Sequence, residues 1–141
     1  MVTTKGRYAI RVMIDLAEHD TGSFIPLKDI AARQGISKKY LEIIVKSMVS
    51  GGLLVGASGK GGGYKLCRKP EEYPVGEILE LMEGEFATVA CLADGAPPCP
   101  RASACETLPM WRSMTNSHMI SFTADISATC SRSRSGHKEL P

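Results

Sequence analysis

The stretch Ser58-Gly59-Lys60-Gly61-Gly62-Gly63-Tyr64 decides the fold. It lies between two short apolar runs, Leu53-Leu54-Val55 and Tyr64-Lys65-Leu66. Apolar runs separated by a glycine-rich turn read as a two-stranded hairpin. The tip has little side-chain bulk, and glycine accepts conformations closed to other residues, so this loop can bring its main chain close to a large polyanion. Alone, the tip is either a flexible turn or the wing of a winged helix. The segment before it separates the two.

That segment reads as two helices. Pro26 suits the start of a short one, with Leu27, Ile30 and Ala31 inward and Lys28 outward, ending around Gln34-Gly35. Ser37 then caps a longer helix. In it Leu41, Ile44, Val45, Met48 and Val49 fall at i, i+3, i+4, i+7 and i+8. Lys38, Lys39, Glu42 and Lys46 occupy the opposite face, and Gly51-Gly52 ends the helix. Two helices joined by a short glycine-containing turn, followed by a hairpin with a glycine-rich tip, predict a winged helix-turn-helix.

Upstream, a first helix is predicted from Thr3 or Thr4 to Glu18 or His19. Ala9, Val12, Met13 and Leu16 form its inner strip, and Ile10 and Ile14 add a second, so it is buried on more than one side. Phe24-Ile25 reads as a short extended piece. Downstream, Glu71 to Glu85 contains a further helix with Val75, Ile78, Leu79 and Met82 inward and an acidic surface. Residues 90–107 lose periodicity and carry Cys91, Cys99 and Cys105 among glycine and prolines. From Leu108 a last helix is predicted, with Leu108, Trp111, Thr115, His118, Phe122 and Ile126 as a seam suited to helix–helix dimer packing. Its Ser, Thr and Asn content makes it a weak helix without a partner. The predicted fold class is mainly α with a small β-hairpin. Residues 1–85 form the winged helix-turn-helix domain, 86–107 the cysteine-rich loop and 108–128 a long C-terminal dimerisation helix; 129–141 form a polar tail expected to be disordered.

Composition narrows the function. Hydrophobic residues make up 43% and charged residues 23% of the 141, as in an ordinary globular protein. No apolar run approaches the ~20 residues that span a bilayer. The first residues enter an amphipathic pattern without a secretory apolar region, so a cytoplasmic location is expected, with no membrane partner. The five cysteines are then expected as thiols or metal ligands rather than disulfides. The net charge of +2 conceals +7 over residues 1–70 and −5 over residues 71–141. A basic first half suits a phosphate-binding surface. No nucleophile pairs with a base and an orienting group, and the three histidines are scattered, which argues against an enzyme.

The N-terminal turn of a recognition helix reaches base edges in the major groove. Here that turn offers Ser37, Lys38, Lys39 and Tyr40, with Glu42 just beyond. Lysines contact phosphate or guanine acceptors, and a glutamate accepts from cytosine N4. Glu42 is the informative residue, because a carboxylate facing a polyanion is costly unless it reads a base. Its plainer reading is an i,i+4 pair with Lys38 or Lys46 at about 0.3–0.5 kcal/mol, and on surface-charge grounds alone that reading is the stronger. Lys28, Lys46, Lys60, Gly61 and Gly62 complete the predicted DNA-binding set.

Cys91-x7-Cys99-x5-Cys105 puts three thiols within fifteen residues. Zinc sites favour closely spaced cysteine pairs, which are missing here. The wider spacing suits an iron–sulfur cluster held by thiolates; reduced thiols in a loop are the alternative. Cys67 reads as a buried apolar residue in a hairpin strand, and Cys130 as a free thiol in the tail.

The segments Thr4-Lys5-Gly6-Arg7-Tyr8-Ala9, Ile30-Ala31-Ala32-Arg33-Gln34-Gly35-Ile36-Ser37, Tyr40-Leu41-Glu42 and Gly61-Gly62-Gly63-Tyr64 together resemble the Rrf-type bacterial regulators of the IscR and NsrR kind. The similarity extends from about residue 2 to residue 112. It implies a homodimeric winged-helix repressor or activator that binds double-stranded operator DNA. Position by position it implies that Ser37, Lys38, Lys39, Tyr40 and Glu42 face DNA, which reverses the surface-charge reading of Glu42. Ser58 stands where IscR-like wings carry an arginine, so a minor-groove contact would fall to Lys60. The resemblance also implies that Cys91, Cys99 and Cys105 are metal ligands for an iron–sulfur cluster, 2Fe-2S or 4Fe-4S. The first gap is longer than those members commonly show. Leu108 replaces the IscR-like histidine ligand, and Tyr8 replaces the carboxylate of NsrR-like proteins. The fourth ligand is left among Glu106, Asp94, His118 and Cys130. The expected function is operator binding controlled by the cluster, in response to iron–sulfur status, redox state or nitric oxide. The alternatives are a cluster-free regulator responding to thiol oxidation or a partner protein, and a metal-dependent protein–protein adaptor.

Overall fold

The apolar periodicities of the first half become three helices in the computed structural model, which describes residues 2–122, with side chains through residue 117. These are α1 (Thr4–Glu18), α2 (Leu27–Gln34) and α3 (Lys38–Ser50). Ala9, Val12, Met13 and Leu16 of α1 are buried as predicted, against Leu27 and Ile30 of α2 and Leu41, Ile44, Val45 and Met48 of α3. Each such burial of a Val, Leu, Ile or Met side chain stabilises by about 1.5–3 kcal/mol. That outweighs the modest helix propensity of the β-branched residues. Val49 departs from the predicted inner face: it is 37% exposed, at the end of α3 where the helix leaves the core.

The hairpin follows at once. β1 (Leu54–Ala57) pairs antiparallel with β2 (Gly63–Leu66), in the register Leu54 with Leu66 and Gly56 with Tyr64. Ile25 adds a bridge on the other side of β2: its N–H donates to the Tyr64 carbonyl at 2.9 Å, and Tyr64 N–H returns a bond to Ile25 at 2.9 Å. The wing is thereby tied to the chain that enters α2. Beyond β2, fully buried Tyr73 holds the hairpin base. Its hydroxyl donates to the Leu53 carbonyl at 2.8 Å and accepts from the N–H groups of Cys67 and Arg68 at 2.8 and 2.9 Å. Those bonds draw Cys67 out of the ladder. The expectation of a buried strand cysteine is therefore corrected: β2 ends at Leu66, and Cys67 is exposed.

α4 (Val75–Glu83) closes the core with Ile78, Leu79 and Met82. Glu83 reaches back to cap α1. Its Oε1 accepts from Thr3 N–H at 2.8 Å, the Thr3 hydroxyl at 2.7 Å and Gly6 N–H at 3.1 Å. Thr3, one of the two starting residues predicted, is the cap residue, but its hydroxyl serves the carboxylate and makes no bond to its own helix. A Cβ at Gly6 would lie 2.3 Å from that same oxygen, so the contact requires glycine. Residues between α4 and α5 (Leu108–Phe122) form a loop with single 3-10 turns at Ala90–Leu92 and Ala102–Ala104. Ile126, the 129–141 tail and Cys130, and the side chains of His118 and Phe122, lie outside the described residues. No helix among the described residues is long and apolar enough to cross a membrane.

Candidate nucleic-acid interface and cysteine loop

An open cleft of about 530 Å³ separates α3 from the wing and the start of α2. Lys28, Lys38, Glu42, Lys46 and Gly62 line it, with Pro26, Leu27, Gly63 and Tyr64. Five predicted interface residues, scattered over 35 positions of sequence, therefore meet on one face. Three ammonium groups and one carboxylate make that face basic. Among the described residues Glu42 forms no ion pair, with Lys38, Lys46 or any other cation. The helix-pairing explanation of this carboxylate thus loses its geometric support.

The other predicted residues divide. The Ser37 hydroxyl caps α3 by accepting Tyr40 N–H at 3.2 Å, as predicted from its position. Lys39 is exposed on the outward side of α3 but outside the cleft, and Lys60 and Gly61 are exposed at the wing tip. Tyr40 is half-buried and packs edge-on against Tyr8 with ring centroids 5.7 Å apart. Its ring joins α3 to α1. The glycines of the wing have an internal cause as well as any external one. A Cβ at Gly63 would lie 2.2 Å from the Ile25 carbonyl oxygen, and one at Gly62 would lie 2.4 Å from the Ala57 carbonyl oxygen.

What positions this face went unnoticed in the sequence. Asp15 is 1% exposed, the buried charge of α1. Arg33 of α2 meets it through Nη2 at 2.7 Å and Nε at 3.0 and 3.2 Å, and Gln34 Nε2 donates to it at 2.9 Å. The carboxylate raises the Arg33 guanidinium further above its ordinary value. Arg11 adds a bond from Nε to Gln34 Oε1 at 3.0 Å. Together these fix the end of α2, and hence the turn into α3. The readable signal was a carboxylate at an inward position of α1, between Val12 and Leu16, which demands a cation. Ile43 was also missed: it is 54% exposed on α3.

In the loop, Cys91 is exposed while Cys99 and Cys105 are half-buried. The Cys105 thiol lies 3.5 Å from the Thr107 hydroxyl, and that contact, ahead of the N–H groups of Thr107 and Leu108, holds it below the usual thiol range. Three thiols are the donor chemistry an iron–sulfur cluster takes. Among the described residues, however, no three His, Cys, Asp or Glu side chains stand together as a metal-binding group. The donor types fit a cluster, but among the described residues the loop as folded does not gather three of them. Helix α5 packs on its own chain. The Thr88 hydroxyl lies 2.6 Å from that of Thr115 and donates to the Trp111 carbonyl at 3.4 Å. Leu108, Trp111 and Thr115 of the predicted seam are thus half-buried intramolecularly, and Met110 and Met114, at 49% and 42%, are the exposed large apolar side chains among the described side chains of α5.

The family model described as "Rrf2: Iron-dependent Transcriptional regulator" matches residues 2–123. A protein named rrf2 from Nitratidesulfovibrio vulgaris is 39% identical over 110 residues, covering 78% of this chain and 73% of its own length. The HTH-type transcriptional regulator IscR of Aliivibrio salmonicida is 37% identical over 126 residues, covering 89% and 73%. Among solved structures, CymR (YrzC), the global cysteine regulator of B. subtilis, superposes with a TM-score of 0.75 at 27% identity, covering 94% of this chain and 97% of that one.

Proposed function

The chain belongs to the Rrf2 family of transcriptional regulators, and on that premise we propose that it is a homodimeric winged-helix protein that reads a pseudo-palindromic operator with α3 and steadies it with the wing. The observation that carries this reading is the cleft in which Lys28, Lys38 and Lys46 surround a Glu42 that has no ion-pair partner among the described residues. Lysines there neutralise phosphates, and Glu42 accepts from an exposed base donor. Lys39 and Lys60 extend the phosphate contacts on either side. The second copy packs against the Met110 and Met114 stripe of α5, which lie one turn apart. Binding to operator selected from a random pool, measured at several salt concentrations, tests the reading. Replacing Lys28, Lys38 and Lys46 together by alanine lowers the slope of log K against log salt by about 5, because the dimer loses six lysines at roughly 0.9 per phosphate contact. An unchanged slope overturns it.

The cysteine loop is the sensing element of the proposal. Cys91, Cys99 and Cys105 would hold an iron–sulfur cluster, which supplies redox and nitric oxide chemistry when bound. The iron-dependence in the family's description supports this, and so does a loop with no buried side chain to hold it in its present shape. Anaerobic purification with absorbance and iron and sulfide analysis decides it; colourless, iron-free protein after reconstitution overturns the cluster. A thiol-based sensor is the second reading, favoured by the lowered Cys105 thiol and by the likeness to a cysteine regulator.

A further inference from the structure

Ile43 is the most exposed large apolar side chain among the described residues, at 54%. It sits in the middle of α3, four residues after Lys39 and three before Lys46. At 3.6 residues per turn these three share one line along the helix. That line is opposite Leu41, Ile44, Val45 and Met48, which are all buried. The fold gives no reason for isoleucine here. Its side chain adds nothing to the core, and a β-branched residue is a poorer helix former than alanine or lysine. A single exposed apolar residue is ordinary on a protein surface. The position of Ile43 is what sets it apart: it adjoins Glu42 of the cleft and stands between two lysines on the outermost line of the helix.

A duplex docked on those lysines meets Ile43 with its major groove. The groove offers an aliphatic side chain one apolar group, the thymine C5-methyl. We propose that Ile43 is a specificity-determining residue that packs on a thymine methyl in each half-site. The proposal rests on α3 and the wing being a DNA interface. Val49, the other exposed β-branched residue of α3, does not share the role, because it faces the cavity between α3 and β1 beside Gly56 and Ala57.

The test uses the full chain and the site it selects from random duplex DNA. Each thymine of that site is replaced in turn by uracil, which removes only the methyl group. For the unaltered protein one replacement per half-site weakens binding about fourfold, the factor expected for one methyl-sized group returned to water. Ile43→Ala, a substitution at an exposed helical position that leaves the core intact, binds the two duplexes equally, and Ile43→Val keeps a discrimination between those extremes. If uracil at every position affects the unaltered protein and Ile43→Ala alike, or affects neither, the inference is overturned while the DNA-binding reading stands. If no sequence is preferred at all, the DNA-binding reading falls and this inference with it.

Discussion

The two halves of the described chain are held in different ways. Every buried side chain lies between Gly6 and Met82, and none lies between residues 84 and 117. The first region is closed by its own apolar faces and three polar locks: Asp15 with Arg33, the Tyr73 hydroxyl and the Glu83 cap. The second has two single 3-10 turns, a half-buried seam on α5 and three thiols that do not converge. The difference teaches where shape comes from. The helix-turn-helix and wing carry their geometry within one chain, so their surface can be specific. The cysteine loop and α5 have no buried side chain among the described residues, and under the proposed function a bound group or a second copy would complete their packing.

The comparison can be broken most forcefully at Asp15. Asp15→Ala leaves Arg33 and Gln34 without their acceptor. Because Arg33 is 34% exposed and can turn to water, the loss falls near the lower end of the range for a broken buried pair, about 3 kcal/mol, read as a shift in urea midpoint. A change under roughly 0.5 kcal/mol, the size expected of an ordinary surface substitution, would mean that the first region does not depend on this lock. Next in size, Met110→Ser combined with Met114→Ser raises the dimer dissociation constant at least about tenfold in analytical ultracentrifugation, since a two-fold interface repeats each loss. Circular dichroism of the variant stays as before.

A smaller effect is expected at the α1 cap. The Thr3 hydroxyl, with the N–H groups of Thr3 and Gly6, holds the Glu83 carboxyl below its usual range. A lowered carboxyl stabilises the fold above its unfolded pKa and loses that contribution as the pH falls through the folded value. Glu83→Gln should therefore lower the unfolding midpoint at neutral pH and flatten its decline in acid. Equal slopes for both proteins would show that the cap does not titrate. The smallest change is expected in the loop. In chelator-treated protein Cys99→Ser shifts the midpoint by less than about 0.5 kcal/mol, because the thiol fills no core position; a larger loss would make the loop part of the first region.

Local pattern exposed most of the first region. The helix limits of α1 to α3, the presence of α4 within Glu71 to Glu85, the Ser37 cap and the hairpin at Gly59 to Gly63 follow from 3.6-residue periodicity and turn residues, which neighbours in sequence determine. What periodicity hides is any contact made across the fold. Asp15 with Arg33, Tyr73 with Leu53, and Glu83 with Gly6 join residues 18, 20 and 77 positions apart. Cys67 was misplaced for the same reason, since Tyr73 takes the N–H that a longer strand would have used. At the candidate site, Lys28, Lys38, Glu42 and Lys46 were legible as outward helical positions, whereas the packing of Tyr40 on Tyr8 and of the wing glycines on Ile25 and Ala57 was not. The fourth ligand of the loop could not be read because loop spacing sets no direction for a side chain.

The central claim is that α3 reads bases through Glu42, and the most direct measurement is the base preference of Glu42→Ala beside that of the unaltered protein, by selection and by affinity at fixed salt. Preference should relax at one cytosine position of each half-site while overall affinity falls much less. Uniform weakening across all sequences, with preference intact, would contradict it and return Glu42 to a structural role beside its lysines.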